Sequence, residues 1–162
     1  MTTRVPRLVA AFEQIARTRM AGVPVLNAAL SVEAVGFEPQ ADAAGESGVV
    51  GVLVAPWFMN LIWLPADAAD ESHRIGETRL HVLGGARFEF IGAHEPSIGA
   101  YSACSMFSPM FEFADQAAAR ATAQAVLESL RAAPMPTPAP SAPVAEPAPA
   151  RRSFLFGRSA AA

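Results

Sequence analysis

The sequence contains no lysine, and all 12 of its basic side chains are arginines. Its formal net charge is −3, so the chain lacks the excess of positive charge needed to bind nucleic-acid phosphates, and we exclude nucleic acid as the main partner. It has one cysteine, Cys104, which excludes an internal disulfide and is typical of a reducing compartment. No apolar segment of secretory length follows Arg4 and Arg7, which disfavours a signal peptide. These features predict a cytoplasmic protein.

Charge is also missing from the long apolar stretch Ser47–Ala66, which contains both tryptophans. About 20 apolar residues can span a bilayer as a helix. Pro56 and Asn60 lie in the middle of this stretch, however, and its flanking charges, Glu46 and Asp67, are acidic rather than basic. The enrichment in valine and isoleucine favours two buried strands that meet near Pro56. We therefore predict no stable membrane insertion.

Proline is unevenly distributed along the chain. Seven of the 14 prolines lie between residues 134 and 149, in a stretch whose commonest other residue is alanine. Such a composition favours a solvated, extended linker over a packed domain. We predict an α+β domain over residues 1–132, a disordered Pro/Ala-rich linker over 133–150, and an Arg/Phe tail over 151–162.

Two segments of the predicted domain have the pattern of helices. Apolar residues recur at helical spacing over Leu8–Met20, with Pro6 suited to the first turn and Gly22 to the end of that helix. Asp115 is a suitable N-cap for a final helix that continues to about Arg131. We predict one helix near each end of the domain.

Strands are predicted between the two helices, and Pro39–Gly48 is predicted to be a loop. The Gly84-Gly85 dipeptide accepts the positive φ angles of a tight hairpin turn, and Phe88 and Phe90 alternate with charged residues as inward-facing strand positions do. The fold class is therefore α+β, a two-layer sandwich in which a mainly antiparallel sheet packs with one face against the N-terminal and the C-terminal helix. The predicted strands are Leu30–Phe37, Val49–Ala55, Trp57–Leu64, Glu77–Leu83 and Ala86–Ile91.

The candidates for catalysis are weak. Cys104 could act as a nucleophile with His73, His81 or His94, but a lone cysteine in an apolar stretch is more often a small buried hydrophobe. Pro96 follows His94 closely and excludes a helical His-Glu-x-x-His zinc site there. His81 falls in a predicted strand, where we expect it to be exposed to solvent. We predict no enzyme, with no catalytic residues, no metal ligands and no cofactor.

Methionine and aromatic residues exceed what one small core needs. Such side chains adapt to varied binding partners, and tryptophan often dominates binding energy, although all of them could also pack inside. Trp57, Phe58 and Met59 are consecutive, and a strand cannot direct all three side chains to one face. We predict that at least one of the three points away from the core.

Two segments resemble the signatures of [NiFe]-hydrogenase assembly chaperones of the HybE/HupJ type. They are Val54–Leu61, with the sequence Val-Ala-Pro-Trp-Phe-Met-Asn-Leu, and Cys104–Met110, with the sequence Cys-Ser-Met-Phe-Ser-Pro-Met, which Phe113–Gln116 follows. The resemblance covers about residues 4–132, with a departure at Ala55, where a hydroxyl residue is expected. It implies a non-catalytic cytoplasmic chaperone that engages hydrogenase precursors, its clients, before export or membrane docking.

The resemblance also implies partners. These are the precursors of the large subunit and of the signal-bearing small subunit of a [NiFe] hydrogenase, and other hydrogenase maturation factors are further candidates. The alternative left open is a small apolar-pocket binding protein or a thiol-dependent redox enzyme that uses Cys104. The predicted client-binding residues come from the two segments and their surroundings: Trp57, Phe58, Met59, Asn60, Trp63, Met106, Phe107, Pro109 and Met110.

The C-terminal tail resembles a twin-arginine export motif through Arg151, Arg152, Phe154 and Leu155. Such a signal works at an N-terminus and before an apolar stretch, so export of this chain is not expected. We hypothesise that the tail imitates the signal of the client and occupies the chaperone's own groove, held near it by the linker. The alternative is an exposed tail with no fixed site.

Overall fold

The computed structural model describes residues 3–69 and 74–132, and the structural statements below concern these residues. A helix lies at each end of this part of the chain, and six strands lie between the helices. In chain order the elements are α1 Arg4–Arg17, β1 Glu33–Ala41, β2 Ser47–Val54, β3 Met59–Pro65, β4 Thr78–Leu83, β5 Ala86–Glu95, β6 Gly99–Phe107 and α2 Gln116–Arg131.

The six strands form one antiparallel sheet in the order β1-β2-β3-β6-β5-β4. Strands β1, β2 and β3 follow one another as hairpins, as do β4, β5 and β6, and the pairing of β3 with β6 joins the two sets. The predicted turn at Gly84-Gly85 links β4 to β5 with φ angles of 57° and 78°, the positive values that a two-residue hairpin turn requires. The predicted α+β class with an antiparallel sheet is confirmed.

The apolar stretch that raised the membrane question forms the β2–β3 hairpin. Its two strands are joined by a tight turn in which the backbone N–H of Ala55 donates to the carbonyl oxygen of Phe58 at 2.8 Å. Pro56 therefore lies between two strands, as predicted. Among the described residues, no helix is both long enough and apolar enough to cross a membrane.

The two helices cover opposite faces of the sheet. Leu127 of α2 shares a buried cluster with Val52, whereas Leu8 of α1 belongs to a second cluster with Leu53. Val52 and Leu53 are neighbours in β2, and neighbouring side chains in a strand point to opposite faces. The structure differs here from the prediction that both helices share one face. Because β2 and β3 are apolar at successive positions, both faces of the sheet need a cover.

The sheet curls strongly, so that its two edge strands approach each other. The backbone N–H of Ala43, just after β1, donates to the carbonyl oxygen of Val82 in β4 at 3.2 Å. Inside the curl, the ring of Trp63 in β3 stacks on the ring of His81 in β4 with centroids 4.4 Å apart, although two strands separate β3 from β4 in the sheet. The curl brings together residues that are distant in sheet order.

Several element boundaries differ from the prediction. β1 continues to Ala41 and includes Pro39, within the predicted loop, because an edge strand tolerates a residue without a backbone N–H. α1 ends at Arg17 rather than near Gly22. The predicted N-cap of α2 is confirmed, since the Asp115 carboxylate accepts a hydrogen bond from the backbone N–H of Ala118 at 2.8 Å.

Arg4 anchors the start of α1 to the sheet. Its guanidinium donates to the carbonyl oxygens of Pro65 at 2.6 Å and Ile98 at 2.9 Å, and also to that of Ala100. These carbonyls lie at the end of β3 and around the start of β6, so one side chain connects α1 to both strands. Partial burial lowers the pKa of Arg4, and the charge of Asp67 opposes this effect.

Candidate functional site

The turn between β2 and β3 lies beside the end of β6. Met59, the first residue of β3, pairs with Phe107, the last residue of β6. Just beyond β6, the hydroxyl of Ser108 donates to the carbonyl oxygen of Trp57 at 3.3 Å. The two segments that carry the family resemblance are therefore neighbours in space.

Asn27, in the connection between α1 and β1, ties these two segments together. Its backbone N–H donates to the carbonyl oxygen of Pro56 at 2.8 Å. Its side-chain Nδ2 donates to the carbonyl oxygens of Met110 at 3.0 Å and Phe113 at 2.9 Å. This role of Asn27 was not predicted, and its only local signal in the sequence is a single carboxamide in the otherwise apolar stretch from Val23 to Leu30.

The predicted client-binding residues divide by exposure. Three are fully buried: Met59, Trp63 and Met110. Five are half-buried: Trp57, Phe58, Asn60, Met106 and Phe107. Pro109 is exposed. All three belong to the core, Met59 and Met110 at this end of the sheet and Trp63 nearer the opposite end, where it stacks on His81. Any direct contact with a partner therefore falls to the other six.

Phe111 was not among the predicted binding residues, yet 58% of it is exposed. A turn follows Pro109, in which the backbone N–H of Phe113 donates to the carbonyl oxygen of Met110 at 3.2 Å. This turn buries Met110 and Phe113 and leaves Phe111 in solvent. The turn propensity of Ser108-Pro109 was the signal in the sequence. We call Trp57, Phe58, Phe107, Pro109 and Phe111 together the apolar end.

The aromatic rings of the apolar end belong to both faces of the sheet. Trp57 and Phe58 pack with their centroids 5.3 Å apart, and Phe58 meets the ring of Phe12 from α1 edge to face at 5.5 Å. Phe107 meets Phe113 edge to face at 5.3 Å on the face that α2 covers. The apolar end therefore surrounds the end of the sheet, and Trp57 and Phe58 also help to hold α1 in place.

The opposite end of β2 holds a group of four polar residues that we call the polar clasp: Asp42, Glu46, Arg79 and His81. The Nδ1 atom of His81 lies 2.9 Å from Oδ2 of Asp42, and Nη2 of Arg79 lies 3.1 Å from Oε2 of Glu46. His81 is only 1% exposed, so the expectation that it faces solvent is wrong. The curl of the sheet carries β4 against the turn after β1, which buries the imidazole between that turn and Trp63.

Three side chains of the polar clasp have atoms that could hold a metal ion. One ligand atom each from Asp42, Glu46 and His81 lies within 4.8 Å of the others. Asp42 also accepts hydrogen bonds from the backbone N–H groups of Ala44 and Glu46, both at 2.9 Å. Burial raises the pKa of Asp42, but these bonds and the bond with His81 outweigh it and lower that pKa below its usual value. The hydrogen bonds account for the arrangement, and we assign the group a structural role.

Cys104 lies in β6 and is half-buried in the cluster beneath α2. Burial raises the pKa of its thiol, and the negative charge of Glu89 raises it further. Because the thiolate is the reactive form of cysteine, this position is poorly suited to a nucleophile. Of the histidines considered as its partner, His81 is engaged in the polar clasp and His94 is exposed, while His73 lies outside the described residues.

The four residues of the predicted signal-mimic tail also lie outside the described residues: Arg151, Arg152, Phe154 and Leu155.

Comparison with known proteins decides the family. Residues 3–157 match the family described as "[NiFe]-hydrogenase assembly, chaperone, HybE". The chain belongs to this HybE family. It is 54% identical to Protein HoxT of Cupriavidus necator over 162 residues, covering 96% of this chain and 89% of HoxT. It is 42% identical over 123 residues to the hydrogenase expression/formation protein HupJ of Bradyrhizobium diazoefficiens, covering 76% of this chain and 69% of HupJ.

The fold agrees with this family membership. The solution structure of HybE from Escherichia coli matches with a TM-score of 0.59 at 21% identity, covering 97% of this chain and 91% of HybE. At that identity the match shows the fold alone. The resemblance read from Val54–Leu61 and Cys104–Met110 is confirmed. In the structure of this chain, both segments lie around the hydrogen bonds of Asn27.

Proposed function

We propose that this chain is a non-catalytic chaperone that binds precursor subunits of a [NiFe] hydrogenase before export or membrane docking. The candidate clients are the large-subunit precursor and the signal-bearing small-subunit precursor. Family membership supports a role in hydrogenase assembly. The observation that carries the binding proposal is the exposed ring of Phe111 beside half-buried Trp57, Phe58 and Phe107.

The apolar end has the properties of a binding surface for an apolar segment of a client. Aromatic residues that are partly buried in the free protein can bury their remaining surface in a complex at low conformational cost. The hydrogen bonds of Asn27 hold the backbone beneath these rings, so the surface is formed before a client arrives. We therefore expect Phe111 to be the anchor residue that inserts into the client, with Trp57 and Phe58 contacting the client around it.

The remaining parts of the proposal concern chemistry and location. The raised pKa of Cys104 disfavours the alternative of a thiol-dependent redox enzyme. We place the protein in the cytoplasm, where its single cysteine would stay reduced. The signal-mimic tail, with Arg151 and Arg152, stays a prediction, and deletion of residues 150–162 followed by measurement of signal-peptide affinity tests it.

Phe111→Ala in the full chain is the direct test of the binding surface. We expect it to lower the affinity for a purified hydrogenase precursor at least about tenfold, because anchor residues contribute about 1–2 kcal/mol or more to binding. Each precursor is titrated separately by calorimetry. Phe111 is largely exposed, so its replacement should change the free energy of unfolding by less than about 0.5 kcal/mol.

Leu80→Ala is the matched control. Leu80 lies in β4 and is 59% exposed, almost the same as Phe111 at 58%. Its replacement should leave the affinity within about twofold, as surface substitutions outside an interface do. If the wild-type protein binds neither precursor, the proposed function is wrong. If it binds a precursor and both variants bind equally well, the function stands and the apolar end is not the surface.

A further inference from the structure

The outer face of the β4–β5 hairpin carries apolar side chains in solvent. Leu80 in β4 is 59% exposed, and Ile91 in β5 is 54% exposed. Their chain neighbours His81 and Phe90 are buried and meet edge to face on the other side of the hairpin, where α2 packs. Ile91 pairs with Ala103, which packs into the cluster under α1, so the exposed face continues the one that α1 covers elsewhere. Adjoining exposed apolar residues of this kind mark an interaction surface.

Two cross-strand pairs lie side by side on this face. Leu80 is paired with Glu89, and Val82 is paired with Arg87. Side chains directly opposite each other in two paired strands share a face, so each pair presents one apolar and one charged residue. Glu89 and Arg87 are both exposed, and Val82 is half-buried. We call these four residues the hairpin quartet.

The hairpin quartet is complementary to a second copy of itself. A two-fold axis that runs across the strands, midway between the two pairs, exchanges Leu80 with Val82 and Glu89 with Arg87. When two copies meet face to face about this axis, each apolar side chain faces an apolar one and each charge faces its opposite. An isologous interface requires such self-complementarity, and a face with charge of one sign would repel its own copy.

The residues that flank the quartet continue the match. Ile91 follows Glu89 on the same face of β5, and the same axis places it opposite Gly85 of the second copy. Thr78, on the same face of β4, is placed opposite Gly84 of the second copy. The two glycines form the hairpin turn and have no side chains, so they leave room for the larger residues that face them.

We propose that this chain forms a two-fold homodimer in which the hairpin quartets of two copies pack face to face. Leu80 contacts Val82 of the second copy, and Glu89 forms an ion pair with Arg87 of the second copy. The interface uses none of the residues of the apolar end, so each copy keeps its own client surface. The affinity of one copy for a client is therefore the same in the monomer and in the dimer.

Charge reversal with rescue tests the interface by sedimentation equilibrium of the full chain. We expect the wild type to form dimers at about 0.1 mM, because an interface of one hairpin per copy is small for a specific complex. Glu89→Arg makes arginines face each other across the axis, and the dissociation constant of the dimer should rise at least about tenfold. Arg87→Glu should have the same effect, because glutamates then face each other. Both residues are exposed, so the fold should be retained.

The double variant Glu89→Arg with Arg87→Glu provides the rescue. It exchanges the two charges within each copy, so opposite charges meet again across the axis. Its dissociation constant should return to within about threefold of the wild type, although each single reversal weakens the dimer. A double variant that dissociates as readily as the single variants would overturn the proposal.

Glu128→Arg is the matched control. Glu128 is exposed in α2, which packs on the opposite face of the sheet, and its reversal changes the net charge as much as Glu89→Arg does. The dissociation constant should stay within about twofold of the wild type. A wild type that is still monomeric at about 1 mM would overturn the proposal. So would a dimer that is equally stable in the wild type and in both single reversals, since another surface would then join the copies.

Discussion

The two ends of strand β2 differ in the side chains that surround them. At the end near Ser47, the polar clasp buries an imidazole and a carboxylate and joins them to each other and to backbone N–H groups. At the end near Val54, aromatic rings remain half-buried and Phe111 is largely exposed. Directional hydrogen bonds close one end of the sheet, and apolar surface without a fixed partner is left at the other.

The difference separates stability from binding within one small domain. A buried polar pair must keep its geometry, because a partner lost in the interior leaves an uncompensated polar group. Apolar surface has no such requirement and can accept partners of varied shape. We therefore expect substitutions in the polar clasp to change mainly the free energy of unfolding, and substitutions at the apolar end to change mainly client affinity.

His81→Ala should have the largest effect. It removes the ring that stacks on Trp63 and the side-chain partner of the buried Asp42 carboxylate, whose other hydrogen bonds come from backbone N–H groups. We expect the free energy of unfolding to fall by about 3–5 kcal/mol, measured by urea denaturation. The control is His94→Ala, which changes an exposed histidine and should cost less than about 0.5 kcal/mol. Similar losses for the two variants would show that the polar clasp does not hold the sheet closed.

Asp42→Asn should have the second-largest effect on the free energy of unfolding, and this effect should depend on pH. The pKa of Asp42 is lowered in the folded protein, so the carboxylate contributes stability above its unfolded pKa of about 3.9 and loses it as pH falls through the folded pKa. We expect the variant to be about 1.5–3 kcal/mol less stable than the wild type at pH 7, the usual contribution of a hydrogen bond to a charged group.

The predicted direction of this pH dependence can be checked by urea denaturation of the wild type and of Asp42→Asn from pH 7 to pH 3. The difference in stability between the wild type and Asp42→Asn should begin to shrink as pH falls below about 4, because Asp42 then takes up a proton in the unfolded wild type before it does so in the folded protein. A difference that stays constant over this range would mean that the charge of Asp42 contributes nothing to the polar clasp.

Asn27→Ala should lower both the free energy of unfolding and the affinity for the client. It removes two hydrogen bonds to the carbonyl oxygens of Met110 and Phe113, at a cost of about 1–2 kcal/mol in the free energy of unfolding. It should also lower client affinity, because the backbone beneath Phe111 is then held less firmly. Ser129→Ala is the control, since it removes an exposed side-chain hydrogen bond near the C-terminal end of α2, which packs against Gly84. If only stability changes, Asn27 does not preorganise the surface.

Cys104→Ser should have the smallest effect. The thiol is half-buried and its pKa is raised, so we expect client affinity within about twofold of the wild type and a loss of stability below about 1 kcal/mol. Cys104→Ala separates the loss of reactivity from the cost of a hydroxyl in an apolar site. A folded protein that loses its function in both variants would point to thiol chemistry and against the chaperone.

Much of the fold was predictable because its signals are local. Asp115 caps α2 by accepting a hydrogen bond from a backbone N–H only three residues away in the chain. The turn between β4 and β5 is formed by two adjacent glycines, Gly84 and Gly85, with positive φ angles. The β2–β3 hairpin followed from an apolar stretch broken at Pro56. The exposure of Phe111 was not predicted, because Phe111 lies in a turn. A turn lacks the regular alternation of side chains that distinguishes exposed from buried positions in a strand.

The sequence by itself determined the helices, strands β2 to β5, part of β1, the family and the two segments at the candidate surface, since each depends on residues close together in the chain. Strand β6 was not predicted. The tertiary structure decided which side chains meet. His81 finds Asp42 across 39 positions of the chain, and Asn27 finds Met110 and Phe113 across 83 and 86. The physical reason is the curl of the sheet, which brings β4 against the turn after β1 and so turns a strand histidine into a buried one.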